Sequence, residues 1–280
     1  MKKGIFCISI DVELLWGRKE NQKPYINLVK KERSIIRHLL ALFRKYKLPA
    51  TWAIVGKMFL KGDPLWQGPD IVKMIQNTPN QEIACHSFTH PIFSEAICDQ
   101  KTAEKEIKNC QIVAKNFGIK LKSFVFPKNI PGHFTILKKY GFSNFRGEKP
   151  YWFAKIPHFH KLLKILDFLL VLPPPVSKPL KTSSGLINIP GSMYYVSCRG
   201  LRKFIPIKVR VLKAKKGLIR AAKEKKIFHL WFHPIDFAKN TKKMFAGFEE
   251  ILKYAVKLRN ENKLEIKSMK QIAEEFTRET

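Results

Sequence analysis

The sequence is short of acid. Its 280 residues hold 22 Asp and Glu against 53 Lys and Arg, a formal net charge of +31 with a pI near 10.0. That imbalance predicts attraction to polyanions: nucleic acid, anionic lipid head groups, or an acidic glycan or lipid phosphate. Cysteine is scarce and unpaired. The five residues (Cys7, Cys85, Cys98, Cys110, Cys198) are scattered and lack the spacings of a disulfide framework or a zinc finger, so they read as reduced and mostly buried. Long hydrophobic runs are missing too. The most apolar stretch, Phe168 to Leu172, is bounded by Asp167 and by Pro173-Pro174-Pro175, too short for a membrane span. The first apolar run, Ile5 to Ile10, stops at Asp11 before a signal peptide could be completed. A cytoplasmic protein is expected, peripheral at most to the inner face of a membrane. There are no repeats and no low-complexity tails.

What is present is ordinary globular material, 45% hydrophobic and 27% charged, and a single domain over 1–280 is expected. Strand-like runs at Ile5 to Ile10, Ala50 to Val55, Glu82 to Cys85, Ser123 to Phe126, Phe142 to Phe145, Leu186 to Pro190 and Ile227 to Phe232 alternate with helical stripes such as Ile35, Ile36, Leu39, Leu40 and Phe43. The alternation predicts an α/β fold of about seven parallel strands joined by right-handed crossovers, with the site at their C-terminal ends. A last short strand and helix run from Leu264 to Phe276. Residues 147–185 break the rhythm and read as an insertion or lid, carrying His158, His160 and a basic, apolar-sided run from Lys161 to Leu172 that docks on its own domain or lies on a membrane. Arg199 to Lys226 is the most basic segment, the expected polyanion contact or a solvated helix face, with Lys213, Lys215 and Lys216 at its centre.

The chemistry-bearing residues cluster at strand ends. Asp11 and Glu13 close the first run, His86 and His90 follow the third, and His233 ends the seventh. Two histidines four apart are weak evidence of a metal by themselves. Brought together with one carboxylate they make three ligands and leave a position open, while a spare carboxylate and a further imidazole can move protons. His229 alternates onto the same side as His233 and reads as a hydrogen-bonded core residue.

These residues resemble the polysaccharide deacetylases with the NodB homology domain, carbohydrate esterase family four, whose fold is a deformed (β/α) barrel; the resemblance runs from Phe6 to about Lys270. Ser9-Ile-Asp-Val-Glu13 is similar to a variant of the family's first motif, which implies Asp11 as general base and Glu13 as metal ligand. Ala50 to Gly56 resembles the second strand. His86-Ser-Phe-Thr-His90 is similar to the metal motif, and His229-Leu-Trp-Phe-His-Pro234 to the last, implying His86 and His90 as ligands and His233 as catalytic acid. Where the family carries the arginine that orients the base, this chain has Val125, and Lys128 or Arg146 is the expected substitute. Asn129, Trp231 and Asp236 complete the expected orienting or substrate-binding set, Asp236 standing in for the carboxylate that holds the acidic histidine.

The resemblance implies a hydrolase that uses one divalent metal, zinc before cobalt, nickel, iron or manganese, to remove an N-acetyl group from an amino sugar in a glycan or glycan precursor. The expected substrate is an intracellular, lipid-linked precursor, with peripheral contact to anionic membrane. Two other readings stand beside it. One is a deformylase of a lipid-linked sugar or a cyclic amide hydrolase on the same fold; the other is a polyanion-binding protein with a relict metal site. No specific nucleic acid is expected, because no basic stripe is interleaved with stacking aromatics.

Overall fold

The structure, a computed structural model, describes residues 1–147, 166–168 and 170–279. Its sheet is organised about β1 (Gly4–Val12), whose nine residues are all buried. A strand apolar on both faces belongs in the middle of a parallel sheet covered on both sides. On one side β1 pairs with β2 (Ala50–Ile54), and the sheet continues through β3 (Gln81–Cys85), β4 (Ser123–Val125) and β5 (Asn144–Arg146). It ends at β7 (Ile187–Asn188) and β6 (Leu180–Lys181). On the other side β1 pairs with β9 (Ile227–Phe232), which carries β8 (Met193–Tyr194), and the start of β1 also pairs with β10 (Leu264–Ile266).

Among the described strands only the β6–β7 pair is antiparallel, and Ser177 adds an isolated antiparallel bridge to Ile227. The sheet curls into a half-barrel. Among the described residues it has ten strands where the sequence predicts about seven and a last short one. The extra ones, β6 and β8, are two residues long, too short to print a period on the sequence.

Outside the sheet lie α1 (Glu32–Tyr46), α2 (Pro69–Gln76), α3 (Gln100–Asn116), α4 (Phe134–Lys139), α5 (Ile207–Glu224) and α6 (Thr241–Asn260). The predicted stripe of α1 is buried, and the helix stops at Lys47, whose φ of 53° ends it in a left-handed turn. α5 lies close against β9 because Gly217 has no side chain: a Cβ there would stand 2.5 Å from the Phe228 ring. That ring stacks on Phe6 of β1 at 5.7 Å. All five cysteines are free and buried.

Side-chain alternation divides each strand between two cores. The larger fills the space between sheet and helices. The smaller lies in the concave interior, where Ile5, Cys7, Ala53, Ala84, Val125 and Ile227 meet Met269, Ile272 and Ala273 of α7 (Met269–Glu279). The α7 start is tied to the sheet by Met269 N–H donating to Thr51 Oγ1 (2.9 Å) and Lys270 N–H to Glu82 Oε2 (2.9 Å). The interior is thus plugged at one end by apolar side chains. Continuing up the same face of β1, Ser9, Asp11 and then Glu13 rise toward the open end.

Most of the expected lid, including His158 and His160, lies outside the described residues. Its described C-terminal part rests on α5: Asp167 pairs with Lys213 at 3.0 Å, and Lys213 and Lys216 donate to the carbonyls of Leu172 (2.6 Å) and Val171 (2.9 Å). Lys215 pairs with Glu250 at 2.6 Å. This corrects the expectation that these three lysines form the polyanion contact. They are committed to the fold, and Lys213 is buried. Among the described residues no helix is long and apolar enough to cross a membrane.

Candidate active site

Asp11 is the second-last residue of β1, buried at 3% exposure, and its carboxylate is gripped by Arg146. Nη1 donates to Oδ1 and Nη2 to Oδ2, both at 2.7 Å. The guanidinium also donates to Ser9 Oγ (2.9 Å) and Asn129 Oδ1 (2.9 Å) and stacks 4.5 Å from the Trp231 ring centroid. Burial alone would raise the Asp11 pKa; the Arg146 charge and its two hydrogen bonds outweigh that and hold it below the usual value. The missing arginine has a geometric explanation. β4 and β5 pair in register with Val125 beside Arg146, so the guanidinium arrives from the neighbouring strand at the same level. Lys128, the other expected substitute, is exposed on the pocket rim with a left-handed backbone, φ 57°.

Ser9 passes the network to His229, whose Nε2 accepts at 2.8 Å while Nδ1 donates to the Ile189 carbonyl at 3.3 Å. Burial and the nearby Arg146 charge lower the His229 pKa to about 3, so it is neutral.

Three imidazole nitrogens converge on one oxygen. Glu13 Oε1 lies 3.2 Å from His86 Nε2, 3.1 Å from His90 Nε2 and 3.4 Å from His233 Nε2. His86 Nδ1 donates to the Val125 carbonyl at 2.7 Å, so in the neutral ring its Nε2 turns a bare lone pair toward a carboxylate oxygen. Such a facing pair is relieved by a cation between the two atoms. The spacing suits one: ligand atoms about 2.0–2.2 Å from a shared ion stand about 3.0–3.5 Å apart at ordinary coordination angles. Glu13, His86 and His90 therefore fit a divalent cation. Burial would raise the Glu13 pKa, but the His233 and His90 charges and a hydrogen bond from His233 take it well below the usual range. Arg18 donates to Glu13 Oε2 at 3.2 Å, and a Cβ on Gly17 would collide with that carboxylate at 1.7 Å.

His233 follows β9. Asp236 Oδ2 accepts both its backbone N–H (2.9 Å) and its Nδ1–H (3.1 Å), leaving Nε2 pointed at the acids, 3.8 Å from Asp11 Oδ2. Burial would lower its pKa; the Glu13 charge and the Asp236 hydrogen bond reverse this and raise it to about 10 with no cation on Glu13.

Two buried acids escaped the sequence reading. Glu106 of α3 accepts the N–H groups of Phe88 (2.8 Å) and Thr89 (2.7 Å) and the Thr89 hydroxyl (2.8 Å), holding the loop between the two histidines. The loop needs holding, because Ser87 (φ 58°) and His90 (φ 63°) adopt left-handed backbone. Glu32 at the start of α1 is buried with its pKa raised to about 8, by burial first and then by the Glu13 charge. Each carries the same signal, an acid on an apolar helical stripe: Glu106 between Ala103 and Ile107, Glu32 ahead of Ile35 and Ile36. Glu106→Gln replaces one acceptor oxygen by an NH2 group and should weaken divalent-metal affinity about 10–100-fold, as loss of an outer-shell partner does. A chelator-competition titration reads this; unchanged affinity would mean that the loop holds its own shape.

The carboxylate clamp, the oriented histidine and the two-histidine, one-carboxylate cluster lie together at the mouth of the half-barrel. Residues 26–143 match the family model described as polysaccharide deacetylase. Of the site residues the matched segment contains His86, His90, Lys128 and Asn129, while Asp11, Glu13, Arg146 and His233 lie outside it.

Two similar solved structures are proteins assigned to the polysaccharide deacetylases. The one from Mycobacterium smegmatis is 15% identical with a TM-score of 0.72, covering 98% of this chain and 91% of that one. The one from Pseudomonas aeruginosa PAO1 is 14% identical with a TM-score of 0.69 over the same shares, 98% and 91%. A 4-alpha-glucanotransferase from Thermococcus litoralis also aligns, at 12% identity and TM-score 0.60, over 97% of this chain and 40% of its own. The fold by itself therefore does not choose the reaction. No curated protein matches the sequence.

Proposed function

We propose that the chain is a metal-dependent N-deacetylase acting on an amino sugar. The observation that carries this reading is the placement of two proton-moving groups of opposite preference around the Glu13–His86–His90 centre. Asp11 is held ionised by Arg146, and Asp236 accepts the His233 Nδ1–H so that Nε2 faces the acids. Glu13, His86 and His90 would hold the cation, zinc in this proposal, since nitrogen and carboxylate donors with an open position suit it; cobalt, nickel, iron and manganese take the same donors. When bound, the cation acidifies water and polarises an amide carbonyl.

The chain's own residues do the rest. Asp11 takes a proton from the attacking water. His233, its Nδ1–H fixed on Asp236, delivers a proton from Nε2 to the nitrogen as the C–N bond breaks, so amide and water become free amine and carboxylate. Ser9-Ile-Asp-Val-Glu13 acts in this reading as the family's first motif in variant form. Trp231 and Arg146 stack beside the base and wall off that side of the pocket.

The substrate side is a cavity of ≈ 970 Å³, roomy enough for more than one sugar. Arg18, Lys128, Arg199, Arg202 and Lys239 line it. The acids among its lining are Asp11, Glu13 and Asp167, each already facing a cation or the metal centre. A positive pocket favours an anionic amino-sugar substrate, so we place a lipid-phosphate-linked glycan precursor on the cytoplasmic side ahead of a neutral polymer.

The test is metal content beside acetate and formate release from N-acylated amino sugars. One divalent metal per chain, lost in His86→Ala, with acyl release lost in Asp11→Asn while metal is retained, is the expected result. Formate in place of acetate would make the protein a deformylase. Failure to hold metal after reconstitution would overturn the reading in favour of a polyanion-binding protein.

A further inference from the structure

Seven of the twelve exposed large hydrophobic side chains among the described residues belong to α5, the turn before it, or the segment resting on it: Leu166, Leu170, Leu172, Leu201, Phe204, Leu212 and Ile219. Two of them stand out. Leu201 (61% exposed) and Phe204 (66%) lie three apart in the short 3₁₀ helix Gly200–Phe204, where side chains at i and i+3 eclipse, so both leave the surface on one side. Cations surround them. The Lys203 ammonium sits 5.0 Å from the Phe204 ring and Arg202 lies 5.4 Å from the Tyr194 ring. Along α5, Lys208, Leu212, Ile219 and Lys223 repeat the mixture on the exposed stripe, with spacings of four, seven and four residues.

This turn is also the rim of the catalytic pocket, since Leu201, Arg202 and Tyr194 line it. Apolar tips set among lysines and arginines, on a chain of net charge +31, match an anionic bilayer surface: the tips enter the acyl boundary and the cations meet lipid phosphates. A second copy of the same chain fits worse, because this face would meet its own positive charge.

We infer that the Gly200–Phe204 turn, with the outer stripe of α5, docks the protein on an anionic membrane and sets the pocket mouth at the headgroup layer. Delivery of a lipid-borne substrate into that mouth rests on the hydrolase reading; the docking does not.

The measurement is co-sedimentation of the full metal-loaded chain with vesicles of phosphatidylcholine alone and with about a third phosphatidylglycerol. The wild type should bind the anionic vesicles and leave the neutral ones. Lys203→Gln/Phe204→Ser should bind the anionic vesicles at least about tenfold more weakly. Neither residue lines the pocket, so its thermal melt and its turnover of a water-soluble N-acetyl amino sugar should match wild type. Equal binding to both vesicles, equal binding by wild type and variant, or a dimer that the variant dissociates would each overturn the inference. Vesicle binding with no turnover on any substrate would leave it standing and count against the deacetylase reading alone.

Discussion

Arg146→Met is expected to destabilise the protein by about 3–5 kcal/mol near neutral pH and to cut acyl release by orders of magnitude. Breaking one side of a buried ion pair leaves the other charge unpaired in a place water does not reach. Asp11 and Arg146 are 3% and 2% exposed, and the methionine returns none of the four hydrogen bonds the guanidinium donates.

The pH dependence separates this from a packing defect. In the wild type Asp11 has a lowered pKa, so its contribution is present above the unfolded carboxylate value and fades as pH falls through the folded one. Without Arg146, burial dominates and the sign reverses: the variant should lose stability as pH rises above about 4, because the unfolded chain ionises where the folded one resists. Urea unfolding across pH 4 to 8 reads the slope. Arg146→Lys restores a charge without the two-pronged geometry and should recover more stability than turnover. Equal urea midpoints for wild type and Arg146→Met would show that the pair contributes nothing net, and unchanged turnover would remove Arg146 from the base.

The second large effect is at the opposite group. His233→Ala should reduce acyl release about 10²–10⁴-fold with metal content unchanged, the span of a lost proton donor. Asp236→Asn is the sharper test, since it keeps the imidazole. The elevated His233 pKa comes from the Glu13 charge first and then Asp236, both working against burial. The alkaline limb of the pH–rate profile should therefore move to lower pH in Asp236→Asn.

In metal-free protein the same shift acts on folding. A histidine with its pKa raised to about 10 contributes stability that is complete below the unfolded value of about 6.5 and is lost between there and about 10. Wild type should lose stability toward pH 9 more steeply than Asp236→Asn, by up to about 1.4 kcal/mol per pH unit. An alkaline limb that stays in place would assign it to another group.

Much of this was legible in the sequence because parallel strands align their ends. The buried run of β1 and the apolar run of β9 could be recognised by composition, and anything immediately after them had to face the same mouth; Asp11, Glu13, His86, His90 and His233 are all of that kind. What stayed hidden was lateral. Choosing Arg146 over Lys128 requires the β4–β5 register, and register between strands about twenty residues apart leaves no local pattern. Asp236 was visible only as a neighbour of His233, because the 3₁₀ turn that folds it back depends on Pro234 meeting the packed core. Glu106 and Glu32 sit on apolar helical stripes, a local pattern that marks them as buried without showing which loop or site they face.

The neighbouring-strand origin of the arginine divides the centre into two mechanically separate halves. The imidazoles of His86 and His90 hang from the end of β3, deep in the sheet, whereas Asp11 takes its counter-charge from β5, a three-residue strand whose outer neighbours have two residues each. Short outer strands are where native proteins open first. A molecule that unzips from that margin would set Asp11 loose while His86 and His90 stayed put, so it would keep its ion and fall idle. Warming should silence turnover before it releases metal.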